Sequence, residues 1–425
     1  MSALIFLAIL LTAIAAGMPI AFALLFAGIG IMLQLDQFDP QIVVQNAIGG
    51  ADNFVLMAVP FFILAGEFMN AGGLSKRIVD LAGGFVGHLR GGLGYVAIVA
   101  ALLLASLSGS AVADTAALAA ILVPMMRQAG YDPAGSCGLM AAGGIIAPII
   151  PPSIGFLLFG VVANVSITRL FLAGIMPGIL MGTALIGAWW LASRNAETAL
   201  APKKTLAERT LLLGRGFWAL LLPVIIVGGL KFGIFTPTEA AVVAAFYALF
   251  VGLVVYRELT LTSIHRCLLA TARTSAVVLL LAALAMVASY MITIADIPAQ
   301  VGGWMTMSAG SPLLLVGAMM MVVFLAGMVL DFIPIVLIFT PVFLPIAQQA
   351  GIDPVYFGVI LIMDCSIGMI TPPVGVVLNV VSSIGRISIE QAVRGVLPFL
   401  IAESVVLVAL ILFPPLVMIP AGWWK

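Results

Sequence analysis

Charge is nearly missing from this sequence. Only 8% of its 425 residues are Asp, Glu, Lys or Arg, and seventeen basic side chains balance seventeen acidic ones. A soluble domain carries about a quarter charged residues, so a soluble enzyme of this length is excluded. Zero net charge also argues against nucleic acid as a partner. Histidine is almost absent. His88 and His265 are read as lying in polar connections, which argues against a histidine-based metal or proton site. Cys137, Cys267 and Cys365 are odd in number and far apart, so they offer neither a disulfide framework nor metal spacing. No basic residue precedes Lys76, whereas a secretory signal needs a positive start. Residues 1–34 are therefore expected to be retained as membrane helices.

What is present is hydrophobic: 64% of the chain. Apolar runs of about 20 residues recur from end to end, the length that crosses roughly 30 Å of hydrocarbon. The runs are continuous rather than alternating, which excludes a β-barrel. The expected fold is an all-α polytopic membrane protein. Trp423-Trp424-Lys425 reads as an interfacial anchor.

The chain also repeats itself. "QAGYDP" at Gln128–Pro133 returns as "QAGIDP" at Gln349–Pro354, an offset of 221. The same offset pairs Pro124 with Pro345, Pro151-Pro152 with Pro372-Pro373, Gly174 with Gly395, and Pro177 with Pro398. Nearby offsets pair Pro19 with Pro237 and Phe68-Met69 with Tyr290-Met291. The reading is a tandem duplication: repeat one over 1–192, a cytoplasmic linker over 193–216, and repeat two over 217–425. Repeat one predicts helices near 2–16, 18–34 and 54–72, and an amphipathic interfacial segment at 75–91. A helix pair at 93–127, a broken helix at 136–164 and a last helix at 170–192 follow. If the 93–127 pair is a re-entrant hairpin, each repeat crosses about five times, and an odd number inverts the second copy. With the N-terminus outside, fourteen of the seventeen basic residues fall on the cytoplasmic side, as the positive-inside rule requires. The expectation is two inverted-topology repeats, about ten transmembrane helices and two re-entrant hairpins.

Four polar breaks interrupt the apolar runs. Irregular backbone is tolerated in a membrane only where protein buries it or it lines a watery cavity. The first break is "SLSGSAVADTAAL" (Ser106–Leu118), the tip of hairpin one. The second is "GGIIAPIIPPSIG" (Gly143–Gly155), whose prolines lack amide donors and free carbonyls one turn back. "LDFIPIVLIFTP" (Leu330–Pro341) is the tip of hairpin two, with Asp331 at the repeat position of Ser110. "MDCSIGMITPPVG" (Met363–Gly375) is the counterpart of the second, matching Gly368 to Ala147 and Thr371 to Ile150. Freed carbonyls and hydroxyls suit a hard cation, and half-helix N-termini suit an anion. Na⁺ is preferred to H⁺, because Asp114, Asp331 and Asp364 form no evident relay with histidine. Small-residue packing and simple proline kinks are the plainer alternatives. Glu67 and Glu239 are read as structural contacts to neighbouring helices.

The hairpin "SGSAVADTAAL", the break "GGIIAPIIPPSIG", the early "GMPIAFAL" and the late "TPPVG" together resemble the large membrane subunit of tripartite ATP-independent periplasmic (TRAP) transporters. The resemblance covers essentially the whole chain. It implies a Na⁺-coupled elevator transporter, not an enzyme, in a bacterial inner membrane with a periplasmic N-terminus. It also implies no cofactor beyond Na⁺ as coupling ion. The implied partners are a small four-helix membrane subunit and a periplasmic substrate-binding protein that delivers an organic acid, such as a C4-dicarboxylate or sialic acid. Carried onto this sequence, the family's first Na⁺ site falls on Ser106, Ser108, Gly109, Ser110, Gly144, Ala147, Pro148, Ile150 and Pro151. The second falls on Gly327, Asp331, Gly368, Thr371 and Pro372. Asp114, Thr115, Ser153 and Asp364 are assigned to the substrate region. Residues 1–92 and 217–311 would be scaffold, and 93–192 and 312–418 the moving transport units. A stand-alone Na⁺/carboxylate symporter or an ion antiporter of related fold is the alternative. An intramembrane aspartyl protease is disfavoured, because its Gly-x-Gly-Asp signature is absent.

Overall fold

The computed structural model describes residues 1–194, 202–308 and 311–422. The proposed tryptophan anchor at 423–425 lies outside these. Among the described residues every regular element is helical.

The first stretch holds α1 (Ser2–Ala15), α2 (Ile20–Gln34), α3 (Pro40–Ala51), α4 (Ala58–Ala71) and α5 (Leu74–Val86). A hairpin follows, α6 (Gly92–Ser108) and α7 (Ala111–Gln128). Then come α8 (Pro133–Gly144), α9 (Ile154–Ala163) and α10 (Ile167–Ser193). The second stretch holds α11 (Leu206–Lys231), α12 (Pro237–Phe250), α13 (Leu261–Ile294) and α14 (Ile297–Ser308). The second hairpin is α15 (Pro312–Gly327) and α16 (Phe332–Gln349), followed by α17 (Pro354–Gly368), α18 (Val376–Gly385), α19 (Ile389–Leu412) and α20 (Pro415–Gly422). Seven helical segments among the described residues are long and apolar enough to cross a membrane by length and composition, α10, α11, α13 and α19 among them.

Local chemistry explains the boundaries. Asp132 and Asp353 cap α8 and α17, each followed by proline at the first helical position, where a missing N–H costs nothing. Ser110 and Asp331 cap α7 and α16, so residues 221 apart do the same local work. Thr205 and Glu208 form a capping box that starts α11.

Several expectations shift. The sequence reading placed no element between 35 and 53, yet α3 lies there, capped by Asp39 and packed on α13. Its Gln41, Gln45 and Asn46 hid it from a search for lipid-length runs. The segment read as a linker to 216 already contains α11 from Leu206. The third break is narrower than Leu330–Pro341, since Pro341 and Pro345 sit inside α16 and only Met328–Asp331 interrupt the helices. His265 is in the early turns of α13, not in a connection. The Glu239 carboxylate closes the capping box of its own helix with Thr236 rather than hydrogen-bonding to a neighbouring helix among the described residues.

The two hairpin-bearing regions interlock. The short helix α9 packs on α16 and α17, while α18 packs on α7 and α8. Trp189 of α10 is buried between Tyr131 and Phe399, with ring centroids 5.9 and 6.3 Å away. Its Nε1 donates to Gly91 O at 2.8 Å. The Arg127 guanidinium at the end of α7 donates to Gly385 O at 2.7 Å, satisfying a terminal carbonyl of α18.

Candidate functional site

A cavity of about 390 Å³ lies where the two hairpin tips meet α4 and α13. Hairpin one contributes Ser108–Ala113, and hairpin two contributes Asp331, Phe332 and Ile333. The two helix breaks supply Pro148 and Met369. Ile63, Gly66, Glu67 and Asn70 of α4, and Thr274 and Val278 of α13, complete the lining. The α4 set recurs at helical spacing, so one face of that helix looks into the cavity. No Lys, Arg or His lines it.

Hairpin one turns through Gly109, whose φ of +62° is left-handed. A Cβ there would stand 2.6 Å from Pro152 O, so glycine is needed both for the conformation and for the close approach. Around this turn, Ser108 Oγ donates to Asp114 Oδ1 and accepts from Ser110 N at 3.1 Å. Ser110 Oγ accepts from Ala113 N at 3.4 Å. The other Asp114 oxygen and Thr115 Oγ1 are buried with no hydrogen-bond partner among the described residues. Thr115 Oγ1 presses on Gly144, where no side chain would fit. In the adjoining break, Ser153 caps α9 and donates to Pro148 O.

Hairpin two is built differently. Asp331 Oδ1 accepts from Phe332 N at 2.8 Å, and Met328 O accepts from Val374 N at 3.2 Å, tying the tip to the second break. Gly327 meets Gly368 so closely that a Cβ on Gly368 would lie 2.7 Å from the Gly327 Cα. Thr371 Oγ1 donates to Ile367 O at 2.8 Å. Asp364 is buried with one oxygen unpartnered.

The chain matches the family described as tripartite ATP-independent periplasmic transporter, DctM component, over residues 7–416. It belongs to this family. The 2,3-diketo-L-gulonate TRAP transporter large permease protein of Escherichia coli is 52% identical over 423 residues, 100% of both chains. The sialic acid TRAP transporter large permease protein of Vibrio cholerae is 39% identical, covering 94% of this chain and 93% of its own. The C4-dicarboxylate TRAP transporter large permease protein of Pseudomonas aeruginosa is 36% identical, covering 88% and 87%. Among solved structures, the Alcanivorax borkumensis YdaH transporter aligns with a TM-score of 0.64 at 17% identity, covering 90% of this chain and 88% of that one. That likeness concerns the fold alone. As a TRAP large permease, the chain is a multi-pass membrane protein, and its relatives are transporter subunits rather than enzymes.

The TRAP frame sorts the residues expected from sequence. Ser108, Gly109, Ser110, Pro148 and Asp331 line the cavity. Ser106 does not; its hydroxyl donates to Leu103 O at 2.7 Å within its own helix. Gly144, Ala147, Ile150, Pro151, Gly327, Gly368, Thr371 and Pro372 do not line the cavity. Asp114, Thr115, Ser153 and Asp364 are buried rather than cavity-lining, since each sits on the packed face of its helix or cap. Glu67 was read as a contact to a neighbouring helix. It does meet α13, where its backbone carbonyl accepts from Cys267 Sγ at 3.7 Å, and it also lines the cavity, with no ion pair or hydrogen bond among the described residues holding its carboxylate. Asn70 and Thr274 had no signal beyond being polar residues in apolar helices.

Proposed function

We propose that this chain is the large membrane subunit of a Na⁺-coupled TRAP-type importer of a small organic acid. The observation that carries the reading is the cavity shared by both hairpin tips and the scaffold. Two helices, α7 and α16, begin at it with capped N-termini, and such ends attract a carboxylate. The cavity has no basic side chain, so positive charge must come from those termini and from bound cations. The donor set fits a hard cation. It is made of backbone carbonyls beside Pro148 and Thr371, the Ser108 and Ser110 hydroxyls, and the buried, unpartnered oxygens of Asp114 and Thr115. Na⁺ would bind behind each tip, and the acid would bind between them.

The matched boundaries of the two hairpins support inverted repeats, with ten crossings and both hairpins re-entrant. The region around α6–α10 and α15–α19 would be the moving unit, and α5 would brace it at the membrane surface. Arg77 of α5 pairs with Glu258 at 2.7 Å and lies 3.7 Å over the Tyr256 ring, which fixes the brace to the second scaffold half. A small membrane subunit and a periplasmic binding protein would complete the transporter in the inner membrane. The relatives named for diketogulonate, sialic acid and C4-dicarboxylate support a substrate among carboxylic acids.

The test is uptake into proteoliposomes holding both membrane subunits, with the binding protein added outside. An inward Na⁺ gradient should drive accumulation. Equal uptake driven by a proton gradient without Na⁺ would refute the ion assignment, and uptake without the binding protein would favour a stand-alone symporter.

A further inference from the structure

The cavity is chemically two-sided. Its hairpin side offers the first-turn amides that the Ser110 and Asp331 caps leave over, those of Ala111 and Val112 in α7 and of Ile333 in α16, and it would take one carboxylate. Its scaffold side presents Glu67, Asn70 and Thr274, and these carry no role in the family reading of the hairpin tips. Glu67 is the telling member. It is half-buried, it points into the cavity from the same α4 face as Asn70, and no cation or hydrogen-bond donor among the described residues satisfies it. The Asn70 Oδ1 already accepts from Ser75 Oγ, which leaves its amide NH₂ as a donor. Thr274 adds a hydroxyl that can donate or accept. Arg273 is next in sequence to Thr274 but does not line the cavity.

An unpaired carboxylate at the wall of a partly enclosed site needs hydrogen-bond donors from the ligand. Hydroxyl groups supply them. A second carboxylate on the ligand would instead meet Glu67 and Asp331 together, with no basic side chain to offset either. The volume of about 390 Å³ is within the range of small-molecule sites, enough for a six-carbon acid.

We infer that Glu67, with Asn70 and Thr274, forms a selectivity wall that admits monocarboxylates bearing several hydroxyls and rejects dicarboxylates. The inference rests on the transporter reading of the same cavity. Glu67 accepts ligand hydroxyl hydrogens, Asn70 donates to ligand oxygens, and Thr274 completes the wall from α13. Selection by the membrane subunit therefore acts at the end of the ligand away from its carboxylate.

The test uses the purified pair of large and small membrane subunits, titrated with gluconate, gulonate, succinate or malate in Na⁺ or K⁺ buffer. The readout is the ligand-induced rise in melting temperature and the apparent Kd. The polyhydroxy acids should bind at least tenfold tighter than the dicarboxylates, and only in Na⁺. Glu67→Gln should shrink that preference at least fivefold by weakening the polyhydroxy acids and admitting succinate, while Na⁺ dependence persists. Thr274→Val should weaken the polyhydroxy acids without admitting succinate. Equal binding of both classes to the native protein, or an unchanged ratio in E67Q, would overturn the selectivity wall and leave the transporter reading standing. Na⁺-independent binding, or no binding of any acid, would overturn the transporter reading and this inference with it.

Discussion

Ser108 joins the hairpin turn to the buried carboxyl of Asp114. Its hydroxyl both donates to Asp114 and accepts from the Ser110 amide. Ser108→Ala would strand both partners, at about 1–3 kcal/mol for a buried group left unpaired. If this pair shapes a cation site, the Na⁺ concentration for half-maximal uptake should rise about tenfold, the change that ~1.4 kcal/mol produces. An unchanged Na⁺ requirement would mean that the tip does not hold the ion. The loss should be felt at Asp114 and its neighbour Thr115, whose buried oxygens have no other hydrogen-bond partner among the described residues.

Elements show what a sequence can and cannot announce. The hairpin tips, their caps and the two broken helices were legible because each break puts serine, glycine or proline into an apolar run. The fixed offset then doubled the signal by pointing from Ser110 to Asp331. The helix α3 was not legible, because its polar face resembles a loop when only long apolar runs are sought. Glu67 was legible only in part: a lone acid in an apolar helix announces a neighbour, here α13, and not the cavity that it also lines. Packing between distant elements was equally silent, and Trp189 is the clearest example. It wedges between Tyr131 and Phe399 and bonds to Gly91 O, tying α10 to residues far apart in the chain. Trp189→Ala should cost about 3–5 kcal/mol, seen as a marked drop in the melting temperature of the purified complex. Trp189→Phe should retain more than half of the loss-free stability, because it keeps the stacking and gives up only the hydrogen bond.

The whole molecule must move if the transport reading is right, and the structure supplies a way to stop it. A Cβ on Gly66 of α4 would lie 3.3 Å from the Ser108 Cβ, close to the separation a disulfide spans. Combining Gly66→Cys with Ser108→Cys should give a bond between scaffold and hairpin one. Oxidation should then abolish uptake, and reduction should restore it to the level of the Ser108→Cys single variant. Full uptake in the oxidised, fully bridged protein would show that hairpin one and α4 travel together. The length of α13 has a further consequence. At 34 residues and 1.5 Å per residue it measures about 51 Å, well beyond the ~30 Å of bilayer hydrocarbon. The surplus must stand in water or be taken up by tilt. Because α13 packs against α2, α3, α4 and α16, a change of tilt is felt at both α4 and α16, which line the cavity. The protein is thereby a gauge of the lipid around it: uptake in vesicles of graded acyl-chain length should pass through an optimum and fall in thinner and thicker bilayers.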